Sequence, residues 1–214
     1  MRLVLPRLYV ILDAALITHS ERDRAEALAG AGVRLIQYRN KTASTKEYLR
    51  NSSELAELLR ASGATLVVND RADIAVLAGA YGVHVGQDDL EVESARNLVG
   101  PAMWVGISTH NETQFAQAAA TSADYVAVGP VFPTASKANP DPVVGLDLIR
   151  KARALSSKPI VAIGGITPER AAEVIEAGAD SVAVISGIWK AENPAKRAQE
   201  YLNILADARR TAAN

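Results

Sequence analysis

Short apolar runs alternate with amphipathic stretches from one end of this chain to the other, and their boundaries predict a regular succession of strands and helices. Arg7 to Asp13 reads as a first strand, apolar enough to be buried on both faces. Ser20-Glu21-Arg22-Asp23 has the form of a helix start, with serine as cap and acid in the first turn. That helix runs out at Ala29-Gly30-Ala31-Gly32, and Val33 to Tyr38 is the second strand, followed by Arg39-Asn40-Lys41. A helix with Tyr48, Ser52, Leu55 and Leu59 on one face comes next. Ala64 to Val68 predicts strand three, ending in Asn69-Asp70-Arg71; Gly82 to Val85 predicts strand four, ending in Gly86-Gln87-Asp88-Asp89. Met103 to Gly106 is the fifth strand, with Ser108-Thr109-His110 after it. The sixth opens at Asp124-Tyr125 and stops at Gly129-Pro130, since proline has no N–H for a ladder. Gly145 to Leu155 is helical, and Pro159 to Ile163 is the seventh strand, ending in Gly164-Gly165-Ile166. Thr167-Pro168 starts another helix, with threonine as cap and proline at its first position. Ser181 to Ile185 is the eighth strand, ending in Ser186-Gly187, and a final amphipathic helix runs roughly from Pro194 to Ala208.

An internal echo supports the count. Ala-Gly-Ala-Gly-Val at 29–33, Ala-Gly-Ala-Tyr-Gly-Val at 78–83 and Ala-Gly-Ala-Asp-Ser-Val at 177–182 each join a glycine helix stop to a β-branched strand start. Eight strands, each followed by a helix, predict an α/β chain folded as a (β/α)8 TIM barrel. An open doubly wound sheet is the competing arrangement, but no Gly-x-Gly-x-x-Gly follows the first strand. No linker, charge block or low-complexity tract divides residues 1–214, so a single domain is expected.

Composition narrows the chemistry. A formal charge of −1 argues against a nucleic-acid footprint spread over the surface. The absence of cysteine excludes disulfides, thiolate nucleophiles and Cys-built zinc sites. His19, His84 and His110 are scattered, with no His-Glu-x-x-His pattern. The apolar run from Leu8 to Ile17 is interrupted by Asp13 and too short to span a membrane, and it lacks a signal-peptide cleavage site. A cytoplasmic protein without membrane partners is the expectation, and a homodimer is compatible with it.

A barrel of this kind carries its active site at the C-terminal ends of the strands, where strands two to eight all offer polar groups. Gln37, Arg39 and Lys41 alternate, so they project on one side of an extended backbone and could hold a diphosphate and a heteroaromatic edge. Asp70 and Asp89 end neighbouring strands and suit Mg²⁺ bridging a diphosphate. Asp70 is alternatively a helix cap, and Asp88 competes with Asp89 as the ligand. Ser108 beside His110 invites a hydrolase reading, but no Gly-x-Ser-x-Gly elbow exists; Ser108 as a donor to phosphate, with His110 shaping the helix start, fits better. Thr134, Ser136 and Lys137 place two hydroxyls and a cation after strand six. The glycines at 164 and 165 let backbone N–H groups approach a phosphate, and Ile185-Ser186 would complete that site.

These strand ends resemble those of the thiamine phosphate synthase family along nearly the whole chain. The resemblance is carried by Gln37-Tyr38-Arg39-Asn40-Lys41, Asn69-Asp70-Arg71, His84 to Asp89, Gly106 to His110, Gly129 to Lys137, Gly164-Gly165-Ile166 and Ile185-Ser186. It implies condensation of 4-amino-5-hydroxymethyl-2-methylpyrimidine diphosphate with 4-methyl-5-(2-hydroxyethyl)thiazole phosphate, giving thiamine phosphate and diphosphate. It further implies that Gln37, Arg39, Lys41, Asn69 and Ser108 bind the pyrimidine diphosphate, with Lys137 reaching the same group. Asp70 and Asp89 would hold Mg²⁺, and Thr134, Ser136, Gly165, Ile185 and Ser186 would bind the thiazole phosphate. Arg39, Lys41, Ser108 and Lys137 are then the catalytic set. Two departures are mild: Tyr38 stands at a barrel-facing position where the family more often has leucine, and Ser136 replaces a common threonine.

The implied mechanism is dissociative, and the residues suit it. Charge gathers on the departing diphosphate, where cations stabilise the transition state more than the ground state. The thiazole nitrogen attacks with its own lone pair and needs no general base. Two rivals are a paralogous tautomerase of the thiazole phosphate and a non-catalytic phosphate-ligand sensor. The presence of Gln37, Arg39, Lys41, Asn69, Asp70 and Asp89 together argues against both.

Overall fold

In the computed structural model, which describes residues 3–18, 20–134 and 141–211, the apolar runs become eight parallel strands. These are β1 (Leu8–Asp13), β2 (Leu35–Arg39), β3 (Thr65–Asn69), β4 (Gly82–Val85), β5 (Trp104–Thr109), β6 (Tyr125–Val128), β7 (Ile160–Ile163) and β8 (Ser181–Val184). They pair in chain order, and β1 closes the sheet on β8 through Leu8 opposite Val182 and Val10 opposite Val184. The helices between them are α1 (Glu21–Gly30), α2 (Thr45–Ala61), α3 (Ala72–Leu77), α4 (Val92–Val99), α5 (Glu112–Ala120), α6 (Gly145–Leu155) and α7 (Pro168–Glu176), with α8 (Ser186–Trp189) and α9 (Pro194–Thr211) after β8. The chain is a (β/α)8 TIM barrel, as predicted. Ser136 and Lys137 lie outside the described residues.

The strands alternate with period two, which splits the apolar residues into two cores. Val10, Ile36, Val68, Val83, Val105, Val126, Ala162 and Val182 face outward into a layer shared with the helices. Tyr9, Leu35, Val67, Tyr125, Val161 and Ala183 face inward and fill the lumen. Tyr38 belongs to the outward set, contrary to the expectation of a barrel-facing position. It follows inward-facing Gln37, so its ring packs on Tyr48 of α2 and its hydroxyl donates to Glu21 of α1 at 2.8 Å.

Two elements differ from the sequence reading. Strand β5 continues through Ser108 and Thr109, because Ser108 pairs opposite Ala127 and Thr109 opposite Val128. Ser108 is therefore a lumen-facing strand residue rather than part of the following loop. Helix α8 is a single turn of Ser-Gly-Ile-Trp, too short to show periodicity, and Trp189 Nε1 donates to Ile11 O at 2.7 Å to fasten it to β1.

The lower rim repeats one fastening. Arg96 of α4 and Asp124 before β6 form an ion pair, and Asp124 also accepts the N–H of Val105 on β5 at 2.7 Å. Two strands later, Arg153 of α6 pairs with Asp180 before β8 at 2.8 Å, and Asp180 accepts the N–H of Ile160 on β7 at 2.9 Å. Each aspartate satisfies a part-buried amide at the start of a strand. Removing it leaves that donor unpaired, at a cost of about 1–3 kcal/mol. Asp180→Ala should therefore lower the urea midpoint by a corresponding amount without changing the spectroscopic signature of the folded state.

Candidate active site

The upper rim gathers charge on β1 to β4. Inward-facing Arg39 ends β2, and its guanidinium donates to Asp13 at the end of β1 over 2.6 Å. Asp13 is nearly enclosed, at 6% side-chain exposure, and also accepts the N–H of Ala15 at 3.1 Å. It holds Arg39 in one orientation, yet the sequence reading assigned it no role. Its signal was visible all the same: a single carboxylate closing an otherwise apolar strand. Lys41 reaches across to ion-pair with Asp70 after β3. Tyr48 of α2 fixes the two strand ends beneath this pair, its hydroxyl lying 3.0 Å from the carbonyl oxygens of both Tyr38 and Asn69.

Asp70 occupies the left-handed region, with φ of 63°, where non-glycine residues other than Asn and Asp are rarely found. The position follows from its own amide, which donates to His84 O on β4 at 2.7 Å and turns the chain there. Asp70 does not cap α3; Arg71 stands at that position and makes no side-chain cap. Asp89 is half-buried and accepts the N–H of Gly86 at 2.8 Å, whereas Asp88 is exposed. Burial raises the Asp70 carboxyl above its ordinary value; Lys41 pulls it back down, and the neighbouring Asp89 carboxylate raises it further. Asp70 and Asp89 are thus close enough to repel. Among the described residues no third His, Cys, Asp or Glu completes a metal cluster with them. Two hard carboxylates without a third protein ligand fit a cation that completes its shell with water and phosphate oxygens.

On β5 to β8 the rim opens into a cavity of about 350 Å³. Ser108, His110, Thr134, Arg170, Gly165, Ile185 and Ser186 all line it. The β6 and β7 ladders continue above the strands, since Val131 N donates to Ile163 O at 2.9 Å and Phe132 N to Gly164 O at 3.0 Å. That approach requires glycine at 164 and 165. A Cβ on Gly164 would lie 2.6 Å from Pro130 Cα, and one on Gly165 would lie 2.4 Å from Pro133 O. Arg170 of α7 stacks over Phe132, with 4.6 Å from its guanidinium carbon to the ring centroid. Thr167 does stand at the N-cap of α7 with Pro168 after it, but its hydroxyl caps no backbone amide. His110 contributes to the start of α5 through its backbone, whose N–H donates to Gln114 Oε1 at 2.7 Å. Asn111 caps α5, while the His110 ring crosses to the β6 loop and donates from Nδ1 to Gly129 O at 2.6 Å.

Beneath both halves, the lumen floor is polar. Gln37, Tyr9, Tyr125, His84 and Ser108 are linked in that order by hydrogen bonds. Burial pushes the Tyr9 and Tyr125 phenols well up, so both stay protonated at neutral pH. Tyr9 and Tyr125 were not recognised as site residues, because each reads locally as an ordinary strand aromatic.

A parallel barrel with a cation–carboxylate cluster and a glycine-lined cavity on one rim defines a phosphate-ligand enzyme of the TIM-barrel class. The family model described as thiamine monophosphate synthase matches residues 8–188. A thiamine-phosphate synthase of Koribacter versatilis (strain Ellin345) is 53% identical over 212 residues, covering 95% of this chain and 97% of that protein. One from Chloroflexus aurantiacus is 44% identical over 195 residues, covering 91% and 90%. Among solved structures, a thiamine phosphate pyrophosphorylase from Pyrococcus furiosus superposes with a TM-score of 0.84 at 34% identity, covering 94% of this chain and 96% of that one. The chain belongs to the thiamine monophosphate synthase family.

The raised carboxyl of Asp70 has a thermodynamic sign. Its folded-state affinity for a proton exceeds that of the unfolded chain, so its contribution is fully present at low pH and is lost as pH rises through the folded value. Asp70→Asn, which tolerates the same left-handed backbone, should make the ligand-free protein more stable at about pH 7. That advantage should shrink toward about pH 4, as urea unfolding at both values would show.

Proposed function

We propose that this protein condenses 4-amino-5-hydroxymethyl-2-methylpyrimidine diphosphate with 4-methyl-5-(2-hydroxyethyl)thiazole phosphate, releasing thiamine phosphate and diphosphate. The observation that carries the reading is the pairing of two unlike half-sites on one rim: the charged cluster of β1 to β4, and the glycine-lined cavity of β6 to β8. A diphosphate suits the first, and a phosphate monoester with an apolar ring suits the second. The names of the relatives agree with this assignment.

In the proposed reaction Arg39, held by Asp13, and Lys41 face the diphosphate, and Asn69 ends β3 beside them. Asp70 and Asp89 would hold Mg²⁺, whose charge would offset that gathering on the departing diphosphate. Lys41 would pass from Asp70 to the phosphate oxygens as substrate arrives. Thr134, Gly165, Ile185 and Ser186 would seat the thiazole phosphate, and the resemblance adds Ser136 and Lys137. The C–O bond to diphosphate breaks first, leaving a methylene cation delocalised into the aminopyrimidine. The thiazole nitrogen then supplies its lone pair to form the new C–N bond, and no side chain needs to remove a proton. Catalysis thus rests on charge placed against the leaving group and on the alignment of two bound rings.

Purified protein given both substrates and Mg²⁺ should form thiamine phosphate and diphosphate in equal amounts, and a chelator should stop the reaction. Arg39→Ala should lower kcat/KM for the pyrimidine diphosphate by roughly 10²–10³-fold, with little change in the KM for thiazole phosphate. Binding of both compounds without product would overturn the assignment.

A further inference from the structure

Five side chains from five different strands form an unbroken hydrogen-bonded relay across the lumen. Gln37 Nε2 lies 2.9 Å from Tyr9 Oη, and Tyr9 Oη lies 3.1 Å from Tyr125 Oη. Tyr125 Oη lies 3.0 Å from His84 Nδ1, and His84 Nε2 lies 2.8 Å from Ser108 Oγ. The direction of this relay follows from the proton count of each group. An amide nitrogen only donates, so Tyr9 Oη accepts from Gln37 and its single proton goes to Tyr125. Tyr125 then gives its own proton to His84 Nδ1. A neutral imidazole that accepts at Nδ1 carries its hydrogen on Nε2, and that N–H donates to Ser108. The hydroxyl hydrogen of Ser108 is thereby turned away from the relay, toward the cavity that Ser108 lines.

The packing around the relay is built for it. Gly106 of β5 sits beneath Tyr125, and a Cβ there would lie 2.1 Å from the ring Cζ. The His84 ring stacks on Tyr125 at 5.5 Å and 24°, and the Tyr9 ring meets Tyr125 edge-on at 6.2 Å and 76°. At the far end Gln37 is 3% exposed, and its Oε1 has no hydrogen-bond donor among the described residues. The two ends of the relay therefore have opposite and fixed polarity: an acceptor at Gln37 Oε1 and a donor at Ser108 Oγ.

We infer that this relay is a specificity device for the 4-amino form of the pyrimidine substrate, holding Gln37 as an acceptor and Ser108 as a donor. An aminopyrimidine offers an amino donor and bare ring nitrogens as acceptors, which match those two ends. The 4-oxo analogue presents a carbonyl acceptor and a ring N–H instead, which oppose them. Tyr9, Tyr125 and His84 are positioning residues in this scheme, acting only through Gln37 and Ser108. The inference rests on the proposed reaction, because that reaction brings the pyrimidine to this floor.

The test compares binding of the amino and oxo forms of the pyrimidine diphosphate by calorimetry, in wild type, Tyr125→Phe and Tyr9→Phe. Tyr125→Phe frees His84 to exchange tautomers and Ser108 to turn; Tyr9→Phe frees the Gln37 amide to rotate. Wild type should prefer the amino form, and each variant should reduce that preference by about tenfold, with thiazole phosphate affinity close to wild type and a single cooperative urea transition showing that the variant is folded. A purely structural role would weaken both forms alike and leave their ratio unchanged, and that result in either folded variant overturns the inference. So does a wild type that binds the two forms equally while still making thiamine phosphate. Failure of wild type to make thiamine phosphate at all is read in a separate assay and overturns the reaction instead.

Discussion

Closure of β1 onto β8 is the constraint on which the rest of this molecule depends. Once Leu8 pairs with Val182 and Val10 with Val184, the sheet has no edge and every strand has an inside and an outside. Residue parity then decides role. Outward positions need only be apolar and branched, and most are valine, isoleucine or leucine. Inward positions converge on a narrow space and cannot all be large, which is why Gly106 faces Tyr125 and alanines occupy 127 and 183. The inward residues nearest the C-terminal ends form the rim above the packed region, and there Asp13, Arg39, Asn69, Ser108 and Ile185 take over from the hydrophobic filling.

The architecture was legible because its signals are local. Apolar runs of strand length, glycine stops and a repeated Ala-Gly-Ala phrase can each be read within a few residues, and together they specify eight βα units. Positions at strand ends were legible for the same reason, since Asp70, Arg39 and Gly165 stand just where a strand stops. What could not be read depends on partners distant in sequence. Polar Ser108 and Thr109 look like loop residues until Ala127 and Val128 are known to lie opposite them. Tyr38 looks like one more apolar strand residue, yet its direction is set by the parity of Gln37. The lumen relay joins residues up to 116 positions apart, and no window along the chain contains it. Asp13 is the intermediate case: its unusual position was visible, but its purpose waited on Arg39.

The active rim also shows where the fold accepts cost. Asp70 combines left-handed backbone, partial burial and a repelling neighbour in Asp89. Each of these disfavours the folded state modestly. Its ion pair with Lys41 offsets part of that, and a cation or substrate arriving at the site would offset more. Asp13, by contrast, is enclosed with its arginine already in place. One carboxylate therefore orders the site in advance, while the other waits for a ligand.

A formal charge of −1 conceals a polarity between the two ends of the barrel. At the lower rim Arg96 and Lys158 are largely engaged by the protein itself. Arg96 serves the carbonyl oxygens of Gly100, Met103 and Ser122 as well as Asp124, and Lys158 serves those of Thr121 and Ala123. At the upper rim Arg39, with five N–H donors available to a guanidinium, gives one to Asp13 among the described residues. The same kind of cation is largely committed to protein oxygens at one end, whereas at the other most of its donors are uncommitted among the described residues. An anion meeting this nearly neutral molecule therefore finds open donors at the upper rim, and the fold gives it a direction that its total charge does not.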